Sequence, residues 1–180
     1  MFRIVGKRPA WQGRRVSVAV VEVEGPDGDR FDREIVHHPG AVAMVPLHDD
    51  GTVTLVHQHR VAVGEAMWEI PAGMRDHADE PPEETAQREL GEEVGLRAER
   101  LEYVARFHNS VGFSDEAVLI YVATELSEVP DDRQDAEEQH MDVERMPLDA
   151  ALAMVDDGRI TDAKTVIGLL TLARRGLVGT

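Results

Sequence analysis

Residues 81–95 constrain this chain more than any other stretch. Pro81-Pro82 stand where a helix tolerates proline, in its first turn. Glu83 and Glu84 suit the positive N-terminal end that follows. Helical periodicity continues to about Val94, and Gly95 is placed to end it as a left-handed cap. At about 100° per residue, Glu92 stands about 300° from Glu89 and Glu93 about 40° from it, so all three share a sector of about 100°. Three carboxylates on one stripe repel one another unless positive charge sits among them. Hard divalent cations such as Mg²⁺ take such oxygen ligands. Arg88, one turn before Glu92, can hold it through an i,i+4 pair. The same spacing also fits an exposed acidic helix held by ion pairs, and the helix alone does not choose.

The rest of the composition narrows the choice. The 180 residues carry 35 acids against 19 Lys plus Arg, a formal charge of −16. That sign disfavours broad contact with nucleic-acid phosphates. Zero cysteines exclude disulfides and thiolate chemistry. No apolar run approaches the roughly 20 residues of a membrane span. The first residues lack a signal-peptide core, so a soluble cytoplasmic protein is expected. The acids cluster: nine fall in residues 76–100 and eight in residues 128–144. Most acidic clusters are solvated faces; a functional one gathers its acids around something.

Along the chain, the alternating Val-rich run Arg14–Glu24 reads as a strand, paired with Phe31–His37 across Gly25–Asp29. Gly40–Leu47 and Thr52–His59 read as a second hairpin across Asp49-Asp50-Gly51. Met67–Pro71 is a short extended piece. After the helix come strands at Leu101–His108, Ala117–Leu126 and Met141–Met146, with a polar loop over Pro130–His140. Asp149 is placed to cap a helix through Val155, and Thr161 or Asp162 a last helix through Arg175. Strands, one helix, more strands and then helices make an α+β sandwich rather than repeated βαβ units.

The central segment resembles the Nudix box: Gly, five residues, Glu, seven residues, then Arg-Glu-apolar-any-Glu-Glu-any-Gly-apolar. Arg88-Glu89-Leu90-Gly91-Glu92-Glu93-Val94-Gly95-Leu96 fits every fixed position, and Glu80 stands the required seven residues upstream. Six residues rather than five separate Gly73 from Glu80, an insertion a loop tolerates. The resemblance implies the Nudix fold: an α/β/α sandwich of mixed sheet, with an N-terminal antiparallel hairpin sheet. It implies a region 1–39 that exchanges across a homodimer and a hydrolase domain 40–180. It also implies a bound Mg²⁺, with Mn²⁺ possible. Carried over position by position, Glu89 and Glu93 are the principal metal ligands, and Glu92 is a further one through water. The carbonyl of Ala72 adds a ligand, Glu80 is a second-sphere acid or a ligand of a third metal, and Arg88 is the orienting cation.

The flanks resemble the ADP-ribose pyrophosphatase branch of that family. Gln58-His59-Arg60 and Trp68-Glu69-Ile70-Pro71-Ala72-Gly73 match its Gln-aromatic-Arg and Glu-Leu-Pro-Ala-Gly. This implies that Arg60 meets a substrate phosphate, as its fork suits, and that Glu69 lies near the substrate. Read alone, Arg60 is a hairpin surface residue. Ser110-Val111-Gly112-Phe113-Ser114-Asp115-Glu116 resembles the branch's Ser-Pro-Gly-Phe-Ser-Asp-Glu loop, which makes Phe113 and Glu116 substrate-loop residues. Val111 replaces the Pro associated with ADP-ribose preference. The branch places a catalytic Glu in the acidic loop, where Glu137 and Glu138 both qualify; a carboxylate free of metal can activate water. Trp11 or Phe31 can stack on adenine or simply pack.

The expected activity is metal-dependent hydrolysis of ADP-ribose to AMP and ribose 5-phosphate. The alternatives are another nucleoside diphosphate sugar such as GDP-mannose, a broad range, or a non-catalytic nucleotide sensor. The intact box weighs against the sensor. The context of Arg60 and Pro71-Ala72-Gly73 weighs against a plain acidic cation-binding domain. His57 and His59, on one face of a strand, can begin a zinc site, but no third ligand is evident.

Overall fold

Helix α1 spans Pro82–Val94 and is bounded as its sequence dictates. Pro82 occupies the first turn, Glu83 and Glu84 follow, and Gly95 adopts φ 63° and ψ 33° as the left-handed cap. The Gly95 N–H returns to the carbonyls of Gly91 and Leu90. Ala86 and Leu90, one turn apart, are fully buried among Val42, Met44, Ala98, Tyr121 and Ala123, with Val94, Leu101, Leu119 and Leu126 packed around them.

A computed structural model describes residues 1–75, 79–130 and 140–176. The strands are β1 (Arg3–Gln12), β2 (Ser17–Glu24), β3 (Arg30–His37), β4 (Ala41–Pro46), β5 (Thr52–Arg60), β6 (Glu65–Glu69), β7 (Ala72–Met74), β8 (Leu96–His108), β9 (Ala117–Glu128) and β10 (Asp142–Pro147). Two further helices, α2 (Leu148–Asp156) and α3 (Ala163–Arg174), follow the last strand. The sheets run β1-β2-β3, β10-β5-β6 and β7-β4-β9-β8. Two units result: Met1–Ala41 with Phe107–Val118, and Val42–Arg106 with Leu119–Thr180.

In the second unit, strand alternation sends side chains to opposite faces of the four-stranded sheet. Val42 and Met44 of β4 join Tyr121 and Ala123 of β9 under α1. Val45 and Ile120, of the opposite parity, meet α3 at Gly168. Helices therefore cover both faces, which is the α/β/α sandwich expected. Gly168 allows the close approach: a Cβ there would lie 2.9 Å from Val45 Cγ2 and 3.1 Å from Ile70 Cδ1.

Three local readings are corrected. Gly40–Leu47 and Thr52–His59 do not form one hairpin ladder. The turn forms, with His48 N–H donating to the Thr52 carbonyl at 2.9 Å, but β4 and β5 part into different sheets. Both strands are buried on both faces, so each needs neighbours of its own; the Leu47 N–H goes to Ala123 instead, at 2.9 Å. In the first unit, β1 makes the expected hairpin three-stranded. Gly6 and Pro9 hid it, and both lie at register shifts of an edge strand, where such residues are tolerated. Helix α2 begins after Pro147 without a side-chain cap, and Asp149 lies in its first turn. The last helix does use Asp162, whose carboxylate accepts from Thr165 N–H.

Gly168→Val is predicted to destabilise the protein by about 1–3 kcal/mol, the usual cost of overpacking. Urea unfolding measures it, and an unchanged midpoint would contradict this packing.

Candidate active site

The residues singled out around α1 fold together in the second unit. Glu89 and Glu93 are 7% and 5% exposed, an unusual state for carboxylates in a chain of this charge. They stand one turn apart on the stripe beside the apolar one, and this turns them toward β7. The Ala72 N–H donates to Glu93 Oε2 at 2.9 Å. A Cβ at Gly73 would fall 1.9 Å from Glu89 Cδ, so only glycine lets the β7 backbone lie against this carboxylate. That explains the box glycine in physical terms.

Arg88 gathers the remaining acids. Its Nη1 lies 2.8 Å from Glu89 Oε1 and 2.8 Å from Glu92 Oε2, and its Nε lies 3.6 Å from Glu80 Oε1. Glu80 is fixed in turn by the Thr85 hydroxyl, which donates to Oε2 at 2.7 Å. Burial alone pulls the Arg88 pKa down, but Glu89 and Glu92 outweigh it and raise it, so this guanidinium stays charged. The structure thus turns Glu92 to Arg88 as the i,i+4 pairing predicted.

These residues also suit a divalent cation. Among the described residues, no three acidic or imidazole side chains gather closely enough to hold an ion by themselves. Mg²⁺ does not require that; it commonly uses one or two carboxylates and keeps several waters or substrate phosphates. Two buried carboxylates lying against the backbone of Ala72 and Gly73 match this donor set.

A second constellation joins β5, β6 and the start of α3. Glu69 pairs in register with Val56, so its side chain shares a face with Arg60, four residues further along β5. Arg60 clamps Glu69 with both arms of its fork: Nε to Oε1 at 2.6 Å and Nη2 to Oε2 at 2.6 Å. Lys164 Nζ also reaches Glu69 Oε2 and lies 3.1 Å from Asp162 Oδ1. Asp162 accepts from Thr165 N–H and Oγ1, and Thr165 Oγ1 accepts from Ile70 N–H at 2.9 Å. The start of α3 is thereby pinned to the strand that carries Glu69. Burial pushes the Glu69 carboxyl up, but Arg60 and Lys164 together bring it below its ordinary value. Glu93 and Asp162 add to the field that raises the Arg60 pKa, so Glu93 and the Arg60–Glu69 pair are electrostatic neighbours.

Phe113 and Glu116 belong to the first unit. There, Val36 N–H donates to the Phe113 carbonyl at 2.7 Å, and Glu116 Oε1 lies 3.7 Å from His38 Nδ1. Glu137 and Glu138 lie outside the described residues. His57 stacks on Trp68, with centroids 4.4 Å apart and planes at 21°, which gives that imidazole a packing role. Phe31 packs edge-on to Phe2 under Arg33. Lys164 escaped the sequence reading. Its only signal was its place just after the capping Asp162, since the partner Glu69 is ninety-five positions away.

Glu69→Gln tests the network through pH. Because the folded pKa is lowered, the carboxylate's contribution is complete above its ordinary value of 4.5 and disappears as pH falls through the folded value. The variant is therefore predicted to be less stable than wild type at neutral pH. The loss stays below the roughly 3–5 kcal/mol of a fully buried broken pair, because Arg60 can turn to solvent. The gap should narrow in melts taken at successively lower pH under 4.5. A gap independent of pH would contradict the charge argument.

The NUDIX domain model matches residues 37–167. The chain is 37% identical over 167 residues to an ADP-ribose pyrophosphatase of Bacillus subtilis (strain 168), covering 93% of this chain and 90% of that one. It is 40% identical over 151 residues to an ADP-ribose pyrophosphatase of Mycobacterium tuberculosis (strain ATCC 25618 / H37Rv), covering 84% and 73%. A solved ADP compounds hydrolase shares the fold with a TM-score of 0.85 at 23% identity, over 98% of this chain and 95% of that one. A family match over most of its length, together with a box folded as described, makes this chain a member of the NUDIX family of hydrolases.

Proposed function

We propose that this protein hydrolyses ADP-ribose to AMP and ribose 5-phosphate with the help of Mg²⁺, for which Mn²⁺ can substitute. The observation that carries the reading is the buried pair Glu89 and Glu93, held against the backbone of Ala72 and Gly73. Relatives named for ADP-ribose, aligned along most of the chain, support the choice of substrate.

In this reading Glu89, Glu93 and the Ala72 carbonyl would hold the cation, and Glu92 would act through water. When bound, the cation supplies neutralisation of the diphosphate and a more acidic water. Arg88 keeps Glu89 and Glu92 in place and limits their mutual repulsion. Arg60 meets the diphosphate through a fork suited to two oxygens, and Glu69 holds that fork until substrate arrives. Phe113 and Glu116 belong to the substrate loop, and Glu137 or Glu138 takes the proton of the attacking water. The oxygen of that water bonds to phosphorus as the bridging P–O bond breaks. Homodimeric assembly and a cytoplasmic setting complete the proposal; no described helix is long and apolar enough to cross a membrane.

A second reading, in which another nucleoside diphosphate sugar is preferred, rests on Val111, which is 81% exposed where the related loop carries Pro. One assay series decides both points. Wild type should give its highest kcat/KM with ADP-ribose among ADP-ribose, GDP-mannose and UDP-sugars. Folded Glu93→Gln should lose about 100-fold or more in AMP release, since even outer-shell partners of metal ligands are worth about 10–100-fold. Near-normal turnover by the variant would overturn the role of Glu93, and a higher rank for GDP-mannose would overturn the substrate.

A further inference from the structure

Glu69 is paired with more positive charge than one carboxylate needs for neutrality. Its side chain is 2% exposed, yet it is bound by two cations: the Arg60 fork at 2.6 Å through both nitrogens, and Lys164. The two cations differ in their freedom. Arg60 is 35% exposed on its side chain and sits at the end of β5, where the hairpin turns back. Lys164 is 14% exposed and is tethered by Asp162, which itself caps α3 through Thr165.

This asymmetry matters once Arg60 has to meet an anionic substrate. In the structure the fork is committed to Glu69. Withdrawing it from a buried carboxylate that has no other partner would leave an uncompensated charge, which is strongly unfavourable. With Lys164 in place, Glu69 keeps one cation when Arg60 leaves. We propose that Lys164 is a positioning residue for substrate binding: it is the charge that stays on Glu69 while Arg60 exchanges this carboxylate for the substrate's diphosphate. The proposal rests on the ADP-ribose reading above and adds a residue to it. Lys164 touches neither substrate nor metal in this scheme; it acts through Glu69 on how readily Arg60 is released.

A stable-fold role and an exchange role predict different kinetics. Removing Lys164 should hold Arg60 more tightly on Glu69, which weakens substrate capture and leaves the chemistry at α1 in place. Lys164→Met is expected to raise KM for ADP-ribose about tenfold or more, with kcat changed less than about threefold. Lys164→Arg, which keeps the charge, should restore most of the affinity. The decisive comparison is made in Glu69→Gln, where no carboxylate remains to hold Arg60. There the Lys164→Met substitution should change KM by less than twofold, a non-additivity expected of groups in one network.

The experiment is a steady-state assay of AMP release with Mg²⁺ over a range of ADP-ribose concentrations. It uses wild type, the two Lys164 variants, Glu69→Gln and the Glu69→Gln/Lys164→Met double variant, with melting curves as a fold control. Lys164→Gln replaces Lys164→Met if the latter does not fold. A KM rise that disappears in the Glu69→Gln background supports the proposal. An unchanged KM in Lys164→Met, or the same KM rise in both backgrounds, overturns it while the hydrolase reading stands. Wild-type protein that releases no AMP from ADP-ribose overturns that reading and the substrate-exchange role with it.

Discussion

Everything at this site depends on how one helix is docked. Helix α1 presses Ala86 and Leu90 into the core formed with β4 and β9, and this fixes its rotation. With that rotation fixed, the neighbouring stripe must carry Glu89 and Glu93 against β7. Apolar burial therefore supplies the energy that holds two carboxylates in a place they would not choose for themselves. The cost of removing an ion from water is several kcal/mol after relaxation. It is offset locally by the Ala72 N–H and by Arg88 and, under the proposed function, by a divalent cation. Gly73 is the geometric condition for all of this, because a side chain there would occupy the space of the Glu89 carboxyl.

The same electrostatic problem arises at Glu69 and is solved in a related way. Here, among the described residues, the compensation comes from two protein cations, Arg60 and Lys164. The two centres are neighbours in field, since Glu93 contributes to the charge environment of Arg60. A site built of buried acids and a few committed cations suits a substrate that brings negative charge together with a metal. Without the metal, an overall charge of −16 opposes the approach of a diphosphate. Under the proposed function, the acidic excess makes metal a condition for binding as well as for chemistry.

The parts of this account legible in the sequence were those with local spacing. The proline start, the Gly95 cap and the acid stripe of α1 are set by residues within a few turns of one another, and the structure agrees with them. The i,i+4 pair of Arg88 and Glu92 is another such case. What was missed depends on contacts distant in sequence. Burial of β4 and β5 on both faces separates strands that read as a hairpin. Edge position rescues β1 despite Pro9. Lys164 acquires its meaning only when α3 folds back onto Glu69 and Ile70. Glu137 and Glu138, read as candidates for the water activator, lie outside the described residues, so their role stays with the sequence reading.

The central claim is that Glu89 and Glu93 are buried in order to hold a divalent cation, with Arg88 sharing their charge. Calorimetric titration of Mn²⁺ into wild type and into folded Glu89→Gln tests it without any substrate. The account predicts saturable binding by wild type that weakens about tenfold or more in the variant, in line with the loss of an oxygen ligand. Identical isotherms for the two proteins would contradict it.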